Sequence, residues 1–351
     1  MRWGPRSWPL TFVLALATAR AQGPGPRVLE VPARYPTVQA AVDSARDGDT
    51  VLVAPGRYYE NVDFRGRAIV LASRFVRSHD IADIEGTILD GSRPRDPDSA
   101  SVVRIVSQAD ARGALVGFTI TGGRGTRWAD PRNGHVYVEG GAVLCEFASP
   151  LIAYNIITGN DAVPRPGTRG AGGGGIRCGD GEPEIAHNVI VRNHGPYAGA
   201  MVLYYTAAHV HDNLIAWNTG GETFGGGALW IAGRLATTAP TVLTDNTIVY
   251  NRALPTVGPA DQRPAEAGRG GAMLVYSGNG YLNRVVGCGN VFAGNEEPFG
   301  PPIVASAGEV EGTLAASDSS RAPVQPDTSA GRYLRWVPPG QERDHRGSCG
   351  S

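Results

Sequence analysis

Along much of the chain, apolar and polar residues alternate for a few positions, halt at an asparagine or glycine, and start again. A period of two marks a strand with one buried face. The short runs "NIITGN", "NVIVRN", "NLIAWN", "NTIVYN" and "NVFAGN" begin at residues 155, 188, 213, 246 and 290, so their starts lie 33, 25, 33 and 44 residues apart. An earlier "FTITGG" from Phe118 fits the same frame. A glycine cluster precedes each asparagine unit, at Gly140-Gly141-Ala142, Gly173-Gly174-Gly175, Ala198-Gly199-Ala200, Gly226-Gly227-Ala228 and Gly270-Gly271-Ala272. Two markers recurring in one order indicate a repeat architecture.

Aligned on these markers, Ile120, Ile157, Ile190, Ile215, Ile248 and Phe292 share one apolar column. Val143, Ile176, Met201, Leu229 and Met273 form another, and Cys145, Cys178, Leu203, Ile231 and Val275 a third. One unit cannot bury such a stripe, but units stacked about 4.8 Å apart bury it continuously. A corner asparagine can bond the coils above and below through its amide and tolerates left-handed backbone, and glycine serves where a Cβ has no room. Before the repeats, "YPTVQAAVDSARDGD" predicts a short helix capped by Thr37, with Val38, Ala41, Val42 and Ala45 on one face. Such a helix suits the open end of a solenoid.

The segment "YPTVQAAVDSARDGDTVLVAPGRYYENVDF", the later "GTILDG" and the asparagine-ended units resemble right-handed parallel β-helix proteins of the pectin-lyase-like superfamily, over roughly residues 28 to 300. The resemblance implies an all-β fold: a single-stranded right-handed parallel β-helix, a three-faced solenoid with a short N-terminal capping helix. The expected division is a signal peptide over 1–21, the β-helix over 22–305, and a closing segment with a loose tail over 306–351. Function does not follow, because lyases, hydrolases, esterases, epimerases, tailspikes and non-catalytic surface proteins share this fold. The opening is most like pectin methylesterases, yet their Gly-Gly...Gln-Ala-Val and Asp-Phe-x-Phe-Gly stretches have no counterpart, which argues against an esterase. Of the polygalacturonase-like motifs, only "NHG" at 193–195 comes near Gly-His-Gly.

Composition narrows the setting. Formal net charge is −1, which removes the electrostatic case for nucleic acid as partner. The N-terminus carries Arg2 and Arg6, an apolar stretch from Trp8 to Ala19 and an Ala-x-Ala ending at Ala21, the pattern of a secretory signal cleaved before Gln22. The product would be secreted or extracytoplasmic, with no membrane insertion. Cys145, Cys178, Cys288 and Cys349 lack metal-site spacing. Cys145 and Cys178 are expected as stacked, buried free thiols, while Cys349 could pair with Cys288 or tether another chain.

Extra residues enter at 124–139, 161–172, 219–225 and 252–269, always after the second asparagine position and before the next glycine cluster, so they predict one wall of loops. Beside that wall the first strand of each coil points Leu144, Arg177, Val202, Trp230 and Leu274 outward, with Glu146, Tyr204 and Tyr276 two residues on. Aromatic faces stack on sugars and arginine holds carboxylates, so Glu146, Tyr204, Trp230 and Tyr276 are candidate substrate-binding residues. Arg177 is a candidate for binding a uronate or acting as a lyase base. Asp180 and Glu182 could ligate calcium or act as acid and base; no other cofactor is indicated. Asp212 and Asp245, stacked at a corner, are a further candidate acid pair. The expected partner is a polysaccharide, with acidic ones included, bound or cleaved by lyase or hydrolase chemistry. The alternative is a non-catalytic surface, structural or adhesion protein.

Overall fold

The computed structural model describes residues 25–223, 225–233, 239–255, 268–276, 284–298, 303–306, 309–312 and 330–337. The expected signal peptide and Cys349 lie outside the described residues. Each coil carries three short strands. In one coil these are Val143–Ala148 on the first face, Leu151–Ala153 on the second and Ile156–Thr158 on the third. The next coil repeats them as Ile176–Gly179, Glu184–Ala186 and Val189–Val191. Strands of equal rank pair in parallel, giving described sheets of eight, ten and eight strands for the three faces. This is the three-faced parallel β-helix that the repeat predicts.

The predicted columns are the observed ladders. Val143, Ile176, Met201, Leu229 and Met273 are register neighbours, as are Cys145, Cys178, Leu203, Ile231 and Val275. On the third face Ile120, Ile157, Ile190, Ile215, Ile248 and Phe292 align. All of these side chains lie in one continuous buried core. Cys145 and Cys178 are buried free thiols, and Cys288 is disulfide-bonded.

Two asparagine ladders bind the coils together. Asn155, Asn188, Asn213, Asn246 and Asn290 run along the corner between the second and third faces, each Nδ2 donating to the next Oδ1 at 2.9–3.0 Å. Asn160, Asn193, Asn218, Asn251 and Asn295 do the same after the third face. The same amides reach backbone carbonyls of the preceding coil, as Asn188 Nδ2 reaches Ile152 O at 2.8 Å.

The ladder is as expected, but its backbone is not. The left-handed residue at each corner is the one before the asparagine: Tyr154, His187, Asp212 and Asp245 have φ between 52° and 56°. Arg192, Trp217 and Tyr250 do so before the second ladder, at 54° to 56°. The bend is carried by the residue before the asparagine, and the asparagine amide bonds along the stack. Glycine is needed where coils touch and where the chain turns tightly into the first strand. A Cβ on Gly141 would sit 2.1 Å from Gly174 O, and Gly140, with φ 62°, would meet Val143 O at 2.4 Å.

The predicted helix spans Val38–Ser44, its N-cap Thr37 accepting from Ala40 N, with Val38, Ala41 and Val42 buried against the first coils. Part of the C-terminal segment packs on the solenoid. Residues 330–337 include a helical turn, Ala330–Tyr333, and Tyr333 and Leu334 are buried. Trp336 stacks on His79 at 4.2 Å and lies 5.5 Å from Tyr154. Pro, Ser and charge in the surrounding sequence hide this Tyr-Leu-Arg-Trp anchor, whose apolar residues cover the aromatic patch around Phe75 and Tyr154.

Asn188→Ala should remove the bonds to Asn155, Asn213 and Ile152 at a fully buried corner, costing about 3 kcal/mol. Denaturant unfolding checks this, and an unchanged midpoint would refute a structural role for the ladder.

Candidate functional site

The insertions do build a wall. Residues 124–139 form an antiparallel hairpin of Gly125–Ala129 and Val136–Glu139, against which Ala171–Gly172 adds in parallel. His194–Gly195, Thr219–Gly220 and Arg252–Ala253 form a second, three-stranded ribbon. Between wall and first face lies a cleft of about 300 Å³. Trp128, Tyr137, Tyr204, Tyr205 and Tyr276 present half-buried rings to it, and Trp230 and Tyr197 are more deeply set.

The ring positions follow from the solenoid's register. Tyr204 and Tyr276 flank Ala232 on one ladder, and Trp230 lies on the ladder two residues earlier. Trp230 therefore stacks with Tyr204 at 5.8 Å and Tyr276 at 6.2 Å, while Tyr197 covers it at 5.4 Å. Tyr204, Trp230 and Tyr276 thus come together in the cleft as their shared face implies, but Trp230 is only 9 % exposed.

Arg177 is likewise on the expected outward ladder, yet it is 4 % exposed. The hairpin end brings Glu139 over it: Arg177 Nε lies 3.3 Å from Glu139 Oε2, and Nη1 lies 2.8 Å from Glu146 Oε1. Glu146, expected to meet substrate, is instead 1 % exposed and faces Arg177. These are ionic contacts without hydrogen-bond alignment. Burial raises Glu139 to about 7 and Glu146 to about 8 against the opposing pull of Arg177. One proton on the two carboxyls makes the group neutral, the state a buried site favours. For Arg177 burial acts downward, but Glu146 and Glu139 outweigh it and its pKa is raised.

The other candidates lie elsewhere. Asp180 gives both carboxylate oxygens to Arg132, whose guanidinium also sits 3.8 Å over Tyr205. Its expected partnership with Glu182 is thus displaced by an ion pair from the inserted loop. Asp212 and Asp245 occupy equivalent corners between the second and third faces, and neither lines the cleft. Asp212 bonds His211 at 3.0 Å, while Asp245 abuts Gly289 of the following coil. His194 of the "NHG" stretch is held by Asp161 and Glu222, each at 2.7 Å, which raises it to about 10. It is a cation at neutral pH and spends its ring on two inserted segments.

Sequence reasoning missed Glu139, Tyr137, Tyr197, Tyr205, Trp128, His135 and Arg169. All but Tyr197 and Tyr205 lie in the insertions at 124–139 and 161–172, which have no repeat register to place them. Exposed Arg169 contacts His135 at 2.8 Å on the cleft wall.

No family model matches the chain, and no curated protein matches it. Among solved structures, it is similar to the pectin methylesterase from Aspergillus niger in penultimately deglycosylated form, at a TM-score of 0.42 and 12 % identity, covering 84 % of this chain and 94 % of that one. The deglycosylated form of that enzyme gives 0.39 and 10 %, with 83 % and 93 % covered. The rice weevil pectin methyl esterase gives 0.34 and 13 %, with 83 % and 91 % covered.

The buried carboxyls set a pH dependence. In the unfolded chain a glutamate ionises near about 4.3; folded, these two keep protons to about 7 and about 8. The folded state binds more protons in that window, so their contribution is present below it and is lost as pH rises through it. His194, also raised, slopes the same way at higher pH. Melting temperature should therefore fall between about pH 5 and pH 8, and Glu146→Gln should flatten the fall. A melting temperature that climbs across this window would contradict the assignment.

Proposed function

We propose that the cleft binds a polysaccharide and that Glu139 serves as a proton donor to a glycosidic oxygen, which makes hydrolysis the chemistry this site supports best. The observation that carries this reading is a set of half-buried aromatic rings in a concave groove beside a carboxyl that holds its proton to about 7. Aromatic faces stack on the C–H faces of sugars. A general acid works best with its pKa near the operating pH. The lyase alternative would need Arg177 as base, and its two glutamates move it further from giving up a proton.

The charge available to an acidic sugar is also relocated. Arg177 is already neutralised from within, whereas Arg169 is exposed on the cleft wall. A uronate carboxylate would be met by Arg169. Secretion fits the N-terminal signal pattern and the disulfide at Cys288, a bond that persists in oxidising compartments. Among the described residues no helix is long and apolar enough to cross a membrane. A non-catalytic glycan-binding protein is the second reading, favoured by the near-complete burial of Glu139, at 5 % exposure.

The test is a panel of neutral and acidic polysaccharides, following affinity, reducing ends and unsaturated-product absorbance. Tyr204→Ala or Tyr276→Ala should weaken binding about tenfold with the fold intact, and Arg169→Gln should weaken acidic glycans selectively. Glu139→Gln should bind but release no reducing ends. Undiminished cleavage by Glu139→Gln rejects the proton donor; undiminished binding by both tyrosine variants rejects the cleft. Binding without any product by the wild type selects the non-catalytic reading.

A further inference from the structure

The corner between the second and third faces carries its own cluster, outside the cleft. His187 and Asp212 occupy the left-handed position of successive coils, with φ 54° and 52°, and the backbone N–H of His187 donates to His211 O at 3.2 Å. The coil-to-coil register thus brings His187 of one coil beside His211 and Asp212 of the next. One ligand atom each from His187, His211 and Asp212 lies within 4.8 Å of the other two. Both imidazoles are buried, at 8 % and 7 % exposure, and Asp212 is partly open at 15 %. Tyr154 stacks on His187 at 4.8 Å, and His211 meets it edge-on at 5.7 Å. His209 packs on His211 at 4.4 Å.

We propose that His187, His211 and Asp212 hold one divalent transition-metal ion, with zinc the best fit. Two imidazoles and a carboxylate are a donor set for zinc and its neighbours, whereas calcium asks for six or more oxygens. With bonds of about 2.0–2.1 Å, donor atoms in a tetrahedral site are about 3.4 Å apart. His211 Nδ1 and Asp212 Oδ2 are already 3.0 Å apart, so that edge of the site is formed. One ligand atom of each of the three residues lies within 4.8 Å of the others, a spread within reach of side-chain rotation.

Glu184 completes the arrangement. Its Oε1 lies 3.3 Å from His211 Nε2, so it holds the ring by the nitrogen that the ion does not use. A ligand imidazole is commonly fixed in this way by a carboxylate on its far nitrogen. The two carboxylates lie on either side of the His211 ring. His187, brought in from the preceding coil, is what turns a bonded histidine into a ligand set.

The untagged full-length protein, stripped with chelator, would be titrated with Co²⁺ followed by its visible absorption, and with Zn²⁺ in competition. One ion per chain with the intense bands of tetrahedral cobalt is expected. His187→Asn and Asp212→Asn, which tolerate the left-handed corner, should each abolish those bands. Glu184→Gln should keep the bands but weaken affinity by about 10- to 100-fold. Melting curves of the metal-free variants confirm that they are folded; if His187→Asn is not, Asp212→Asn decides. Absence of saturable cobalt binding by the wild type, or unchanged affinity in the folded variants, overturns the site. Glycan binding is read separately, so failure here leaves the cleft untouched and failure there leaves this site untouched.

Discussion

The stack depends on a single corner requirement: a chain turning between two narrow faces must place one residue in the left-handed region and still satisfy the amides exposed by the bend. Among the described residues, seven non-glycine residues directly before an asparagine, Tyr154, His187, Arg192, Asp212, Trp217, Asp245 and Tyr250, accept that backbone, at about 1–2 kcal/mol each. The adjacent asparagine offsets it. Asn188, for example, bonds Asn155, Asn213 and Ile152 through its side chain, and three such bonds contribute about 1.5–4.5 kcal/mol. The strain persists because the ladder over-determines it. The ladder also explains why coil lengths vary without disturbing the core, since an insertion between asparagine and glycine leaves both anchors in register.

That division of labour sets where chemistry can accumulate. Inward columns are committed to packing. Residues in the left-handed column, such as His187 and Asp212, are set at the corner by backbone geometry rather than by side-chain preference. Outward positions on the first face depend on the insertions. There the wall converts a solvent-facing ladder into a cleft and buries one cation with two carboxyls. Such burial is costly unless charges balance. One proton retained on the Glu139–Glu146 pair balances this group, so the raised pKa values follow from its position under the hairpin.

The fold was legible because period-two alternation and paired asparagines specify face and register together. Leu144, Arg177, Val202, Trp230 and Leu274 align as the spacing implies. What spacing cannot convey is what lies over a face. Arg177 and Glu146 were read as open because alternation distinguishes inside from outside the coil, not covered from uncovered. Glu139 was invisible for the complementary reason: it ends a loop without repeat register, although it directly precedes the Gly140-Gly141 marker that fixes its height on the stack. The left-handed role given to asparagine followed residue preference. In the structure the left-handed position falls on the residue before each asparagine, and the asparagine amide bonds along the stack.

The same logic separates the two proposed sites. The cleft is built from segments the repeat does not govern, so its rings and Arg169 can change with loop sequence while the core stays fixed. The histidine corner is built from the repeat itself, and its donors are spaced by the coil-to-coil step. Cleft geometry should therefore tolerate substitution and respond to ligand, whereas donor spacing at His187, His211 and Asp212 is tied to the Asn188–Asn213 rung beside it, at 3.0 Å. Loosening that rung would spread the corner donors while leaving the wall hairpin's own pairing, from Thr126–Glu139 to Ala129–Val136, intact. The helix's stability and the histidine cluster's geometry are in this sense one quantity, and the glycan cleft's shape is another.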